Sequence, residues 1–149
     1  MRKLHLIALF TLSPVVLGEN IKNFSTPEQA IQFLEEAYRR KSIDDAVSAK
    51  DFFEEGRLML QNINPEFSKD GGLVKQAAET LELAYRKEME TKGFPDLEGL
   101  KCSFPAKETL ETDLVKVTEV CIFPDGRNSR QNILVKKGNN GWRVLNVTD

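Results

Sequence analysis

The chain has 149 residues, 40 % of them hydrophobic and 30 % charged, with 21 basic and 23 acidic side chains, one histidine and two cysteines. That length suits one ordinary domain, able to bury a core without extra staples. The slight acidic excess excludes the clustered basic surface of a nucleic-acid binder.

The N-terminus reads as an export signal. Met1, Arg2 and Lys3 make a short basic start, residues 6–17 are mostly apolar, and Val16-Leu17-Gly18 suits a signal peptidase. Residues 1–18 are therefore predicted as a signal peptide and 19–149 as one domain; the alternative is a buried N-terminal helix. The apolar run is too short to span a bilayer, no later run is longer, and no stable membrane association is expected. Cleavage would remove Arg2, Lys3 and His5, taking the formal charge from −2 to −4. It would also remove the sole histidine, and with it Ser-His and Cys-His nucleophile arrangements. No catalytic residue, metal site or cofactor is expected.

The first half has helical periodicity. Thr26, Pro27 and Gln29 form a strong helix start, an N-cap followed by Pro and the far side of a capping box. Ala30, Ile31, Leu34, Ala37 and Tyr38 then recur at helical spacing. Ser42 caps a short second helix. Residues 51–62 continue as helix, although Gly56 weakens that prediction. Residues 68–72 read as a polar loop. A second long amphipathic helix spans 73–91, with Val74, Ala77, Ala78, Leu81, Ala84 and Tyr85 on one side. Gly93 and Pro95 stop it.

After Pro95 the period falls to two. Strands are predicted near 100–104, 114–123, 129–137 and 142–147, joined by Pro124-Asp125-Gly126-Arg127 and Gly138-Asn139-Asn140-Gly141. Short turns make this an antiparallel meander. Cys102 and Cys121 are equidistant from a midpoint at Glu111 and Thr112, inside the polar stretch 107–113. A hairpin folded there brings them together as a disulfide. Two free buried thiols are the alternative. Helices followed by a curved antiparallel sheet define an α+β domain, the helices covering one face.

This order of elements resembles the nuclear-transport-factor-2-like (cystatin-like cone) superfold. The capped start at Thr26-Pro27-Glu28-Gln29-Ala30, the short second helix and the closing Gly141-Trp142-Arg143-Val144 strand carry the likeness. Segments 50–60, 93–99, 118–126 and 141–145 further resemble immunity proteins of that fold from bacterial polymorphic toxin systems. The resemblance implies a non-catalytic protein that masks one cognate protein toxin. With a leader, it implies a toxin acting in the periplasm.

Candidate residues follow from these placements. Glu119 shares a strand face with Val117 and Cys121. Its ordinary placement is outward, at the rim, or paired with Lys101 or Arg130; if that face lines the cone, it is a partly buried base. Tyr38 and Tyr85 are expected on helix faces that meet the sheet, as core with a polar tip or as cavity donors. Trp142 is expected to pack on a helix or close the cone mouth. The acidic groups Asp44, Asp45, Asp51, Glu54 and Glu55, and Glu108, Glu111 and Asp113, are ordinary solvated surface or docking faces for a basic toxin. The second cluster is preferred for toxin binding, because a disulfide would steady the loop expected to carry it. The outer sheet face, with Lys116, Thr118, Arg130 and Asn132, leaves a homodimer open. Two other functions remain: a periplasmic carrier or sensor holding a small molecule in the cone, and an isomerase or dehydratase using a carboxylate with a tyrosine donor.

Overall fold

The structure, a computed structural model, describes residues 22–148. The leader expected at residues 1–18, with His5, lies outside the described residues. Helix α1 spans Pro27–Arg39, and its start follows the sequence: Thr26 Oγ1 accepts from the Gln29 amide at 3.2 Å. The Gln29 side chain returns one residue further than a standard box, accepting from the Ser25 amide at 2.9 Å. Ser42 caps α2, Ile43–Ser48, and Asp51 caps α3, Phe52–Ile63. A 3-10 turn at Phe67–Lys69 leads into α4, Gly71–Lys92. Asp70 caps α4 through the amides of Gly72 and Leu73, so the helix starts two residues before the predicted Leu73.

The strands are β1 Lys101–Glu111, β2 Leu114–Ile122, β3 Asn128–Gly138 and β4 Gly141–Thr148, in the antiparallel order β1-β2-β3-β4. The expected α+β class and meander are therefore observed. Cys102 lies opposite Cys121 in the β1–β2 register, and the two form a disulfide.

One strand is longer than predicted. The stretch 107–111, expected as loop, belongs to β1, and the turn is confined to Thr112 and Asp113. Polar residues are no bar to an edge strand whose side chains face water, and the cross-strand ion pair of Glu108 with Lys116 supports it. Pro105 is accommodated by the register shift between Ser103 and Ala106 on this edge strand, where its missing N–H costs little.

Helix α1 lies in the cup of the sheet. Ala30 and Ile31 pack with Phe24, Val115, Val117, Ile133, Val135 and Val144, while Phe33, Leu34, Phe104 and Trp142 close around them. Each fully buried aliphatic side chain there contributes about 1.5–3 kcal/mol relative to exposure. The β4 edge is covered: the Trp142 amide donates to Phe24 O at 2.9 Å, and the Asp51 amide to Val144 O at 3.0 Å. Gly141 permits this closure. Its φ is +85°, and a Cβ would stand 2.5 Å from the Phe24 carbonyl oxygen.

The second helical pair behaves differently. Helix α4 packs along α3 rather than on the sheet, and of these two only α3 reaches β4. Gly56 explains the contact: a Cβ there would meet the Ala78 nitrogen at 3.0 Å and the Ala77 Cβ at 3.1 Å. The glycine that weakens helix propensity thus lets two helices approach. Val74 alone is fully buried on α4, and Leu83 is 68 % exposed.

Candidate functional site

Between α1, the loop 95–100 and the cupped sheet lies a cavity of about 410 Å³. Ile31, Leu34, Leu97, Leu100, Ile133 and Val144 supply apolar wall, and the disulfide forms part of its lining. Two carboxyl groups meet inside. Glu119, on the core face of β2, is only 2 % exposed, and its Oε1 accepts from Gln131 Nε2 at 2.5 Å. The outward, rim or Lys101/Arg130-paired placement expected for Glu119 is thereby corrected. The period-two register puts it on the face of Val117 and Cys121, and that face is the inner one.

Its partner is Glu35 of α1, which the sequence reading missed. Burial first, then a hydrogen bond and repulsion from Glu119, push the Glu35 pKa from 4.5 up to about 8, with Arg39 opposing. Near neutral pH Glu35 therefore holds its proton, because ionising a buried carboxyl beside another is costly. Glu119 Oε2 is buried with no hydrogen-bond partner. A signal for Glu35 existed: it lies four residues after Ile31 and three before Tyr38, inside the apolar stripe of α1. A carboxylate in such a stripe points inward.

Ligand atoms of Glu35, Glu119, Cys102 and Cys121 all lie within 4.8 Å of one another. The sulfurs are bonded to each other and offer no thiolate, which leaves two carboxyl ligands, too few for a tetrahedral metal centre.

The tyrosines divide. Tyr38 lines the cavity, but its hydroxyl is 2.6 Å from the Tyr85 hydroxyl. Tyr85 is held between helices, with its ring 5.5 Å from Phe52 and the Lys50 ammonium 5.3 Å over its face. The expectation that Tyr85 meets the sheet or the cavity is corrected: it is not in the cavity lining, because α4 stacks on α3. Burial raises the pKa of both tyrosines. Trp142 packs against the core cluster and does not line this cavity. Lys50, whose pKa burial lowers, donates to Leu145 O at 2.7 Å and pairs with Glu55 at 3.5 Å.

The acidic clusters sit differently from expectation. Glu108 and Glu111 are strand residues of β1, and Asp113 is in a two-residue turn. The disulfide crosses the opposite end of that hairpin, roughly 20–30 Å away at strand rise, and does not steady them. Cations answer many of the acids: Lys116 pairs with Glu108 at 2.6 Å, Arg40 with Asp45 at 2.9 Å, and Arg86 with Asp44 at 2.8 Å. The hydrogen bond from Arg57 holds the Glu54 carboxyl below its usual range. On the outer sheet face Thr118 is buried, donating to Asn132 Oδ1 at 3.0 Å.

No family model matches the chain, and no curated protein matches it. Among solved structures it is similar to a candidate NTF2-like transpeptidase from Campylobacter jejuni, at 16 % identity and TM-score 0.42, over 81 % of this chain and 98 % of that one. It is also similar to an NTF2-like protein of unknown function from Shewanella oneidensis, at 16 % identity and TM-score 0.45, over 82 % and 95 %. A third is a domain of unknown function with a cystatin-like fold from Nostoc punctiforme, at 17 % identity and TM-score 0.40, over 80 % and 75 %.

Proposed function

We propose that this chain is an exported binding protein without catalytic turnover, and that its binding site is the cone cavity, which takes a small, mainly apolar molecule as a carrier or sensor does. One observation carries this reading: an apolar-walled space of about 410 Å³ in which a 2 %-exposed carboxylate waits with one unpartnered oxygen. Binding is favoured over an isomerase or dehydratase because the Tyr38 hydroxyl is already engaged by Tyr85, which takes up the tyrosine donor such an enzyme needs. The Cys102–Cys121 bond is compatible with an oxidising compartment, in keeping with periplasmic residence.

The test uses an apolar fluorescent dye and the variant Leu97→Trp, which fills the cavity from its loop side. The wild type takes up dye, and the variant, melting at the same temperature, binds at least tenfold less. Equal uptake by both proteins defeats the reading.

A second reading, neutralisation of a cognate protein toxin, draws on Ile63 and Phe67, which are 68 % and 40 % exposed at the join of α3 and α4. Co-purification from the native host followed by mass spectrometry tests it. One protein recovered in constant stoichiometry, and lost with Ile63→Asp, supports it; recovery unaffected by that change removes this surface from consideration.

A further inference from the structure

We propose that the ligand of the cone cavity is an amine, its ammonium head seated between Glu35 and Glu119 and its apolar body lying along Ile31, Leu34 and Leu97. This rests on the cavity reading above and names the chemical class that the cavity selects.

The walls fit a hydrocarbon, but the floor does not. Glu119 is fixed from one side by Gln131, which satisfies Oε1. Its Oε2 is buried beside Glu35 and has no hydrogen-bond partner. A carboxylate in that position needs a donor, and a charged donor answers it best. Among the described residues, no lysine or arginine lines the cavity, while three carboxyl groups do: Glu35, Asp96 and Glu119. The cation is therefore supplied from outside. An ammonium brings several N–H donors, enough to serve Glu119 Oε2 and a Glu35 oxygen together.

In the empty protein Glu35 holds a proton beside Glu119. An incoming ammonium takes its place, and the proton leaves to solvent, so the charge of the pair changes by one as the amine enters. The groups that bear on Glu35 are Glu119 from β2, Arg39 from its own helix, and Asp96, which lines the same cavity from the loop after α4. Arg39 pulls toward ionisation, and Glu119 pulls against it. Proton release makes amine binding tighten as pH rises from 6 to 8.

Titration calorimetry with n-hexylamine, n-hexanol and hexanoate separates the possibilities. At pH 7.5 hexylamine binds at least tenfold tighter than hexanol, hexanoate binds most weakly, and hexylamine affinity increases severalfold between pH 6 and 8. Glu119→Gln removes the amine preference, so that hexylamine binds no tighter than hexanol. Glu35→Gln, at a less buried position, serves if the first variant does not fold; it abolishes proton release, measured in buffers of different ionisation enthalpy. Equal affinity for amine and alcohol overturns the amine assignment and leaves the cavity reading standing. Binding of none of the three ligands overturns both.

Discussion

The cone and the α3–α4 hairpin are built from the same kinds of residue, and they are buried to very different degrees. In the cone, Ala30, Ile31, Val117 and Val135 are at most 2 % exposed, a disulfide ties β1 to β2, and the neighbouring chain covers the β4 edge. In the hairpin, Phe53, Ile63, Leu73 and Leu83 are 37–68 % exposed, and the main contact is one helix on the other. A sheet that cups a helix hides that helix's whole apolar stripe, whereas two helices side by side hide only a seam. Stability is expected to concentrate in the cone, with the hairpin opening at lower cost.

Four measurements break or sharpen that contrast. Ile31→Ala, at the centre of the cone, costs about 2–5 kcal/mol in urea unfolding, because it deletes buried methylenes that pack against the sheet. Removal of the disulfide by the double change Cys102→Ser and Cys121→Ser costs about 2–4 kcal/mol, and added reductant then has no effect on the variant. Gly56→Val costs about 1–3 kcal/mol by prising α3 from α4. Hydrogen exchange should accelerate across Phe52–Ile63 and Gly71–Lys92 while β2 and β3 keep their protection; equal loss in both regions would show a single cooperative unit.

The smallest effect concerns pH. Glu35 titrates near 4.5 when unfolded and near 8 in the fold, so between those values the folded state holds the extra proton. Stability from this group is complete below 4.5 and declines as pH rises through 8. Glu35→Gln keeps a neutral side chain at every pH. It should flatten the decline and gain about 1 kcal/mol at pH 8, a figure reduced for partial solvent screening. A variant with the same pH slope as the wild type would place the titration elsewhere.

Local chemistry alone determined much of this molecule. Thr26, Ser42 and Asp51 cap helices because their side-chain oxygens serve amides two or three residues on, a relation contained in a few consecutive residues. The Cys102–Cys121 pairing followed from the symmetry of a hairpin about its turn, again a local property. The tertiary structure alone decided which face was inner and which helix met the sheet. Alternation placed Glu119 with Val117 and Cys121, but only α1 lying in the cup made that face the buried one. Glu35 became a partner because a helix residue and a strand residue 84 positions apart were brought to one cavity. Tyr85 was drawn from the sheet to Tyr38 because Gly56 let α4 settle on α3. Side-chain periodicity fixes which residues share a face; what that face meets depends on contacts between segments far apart in the chain.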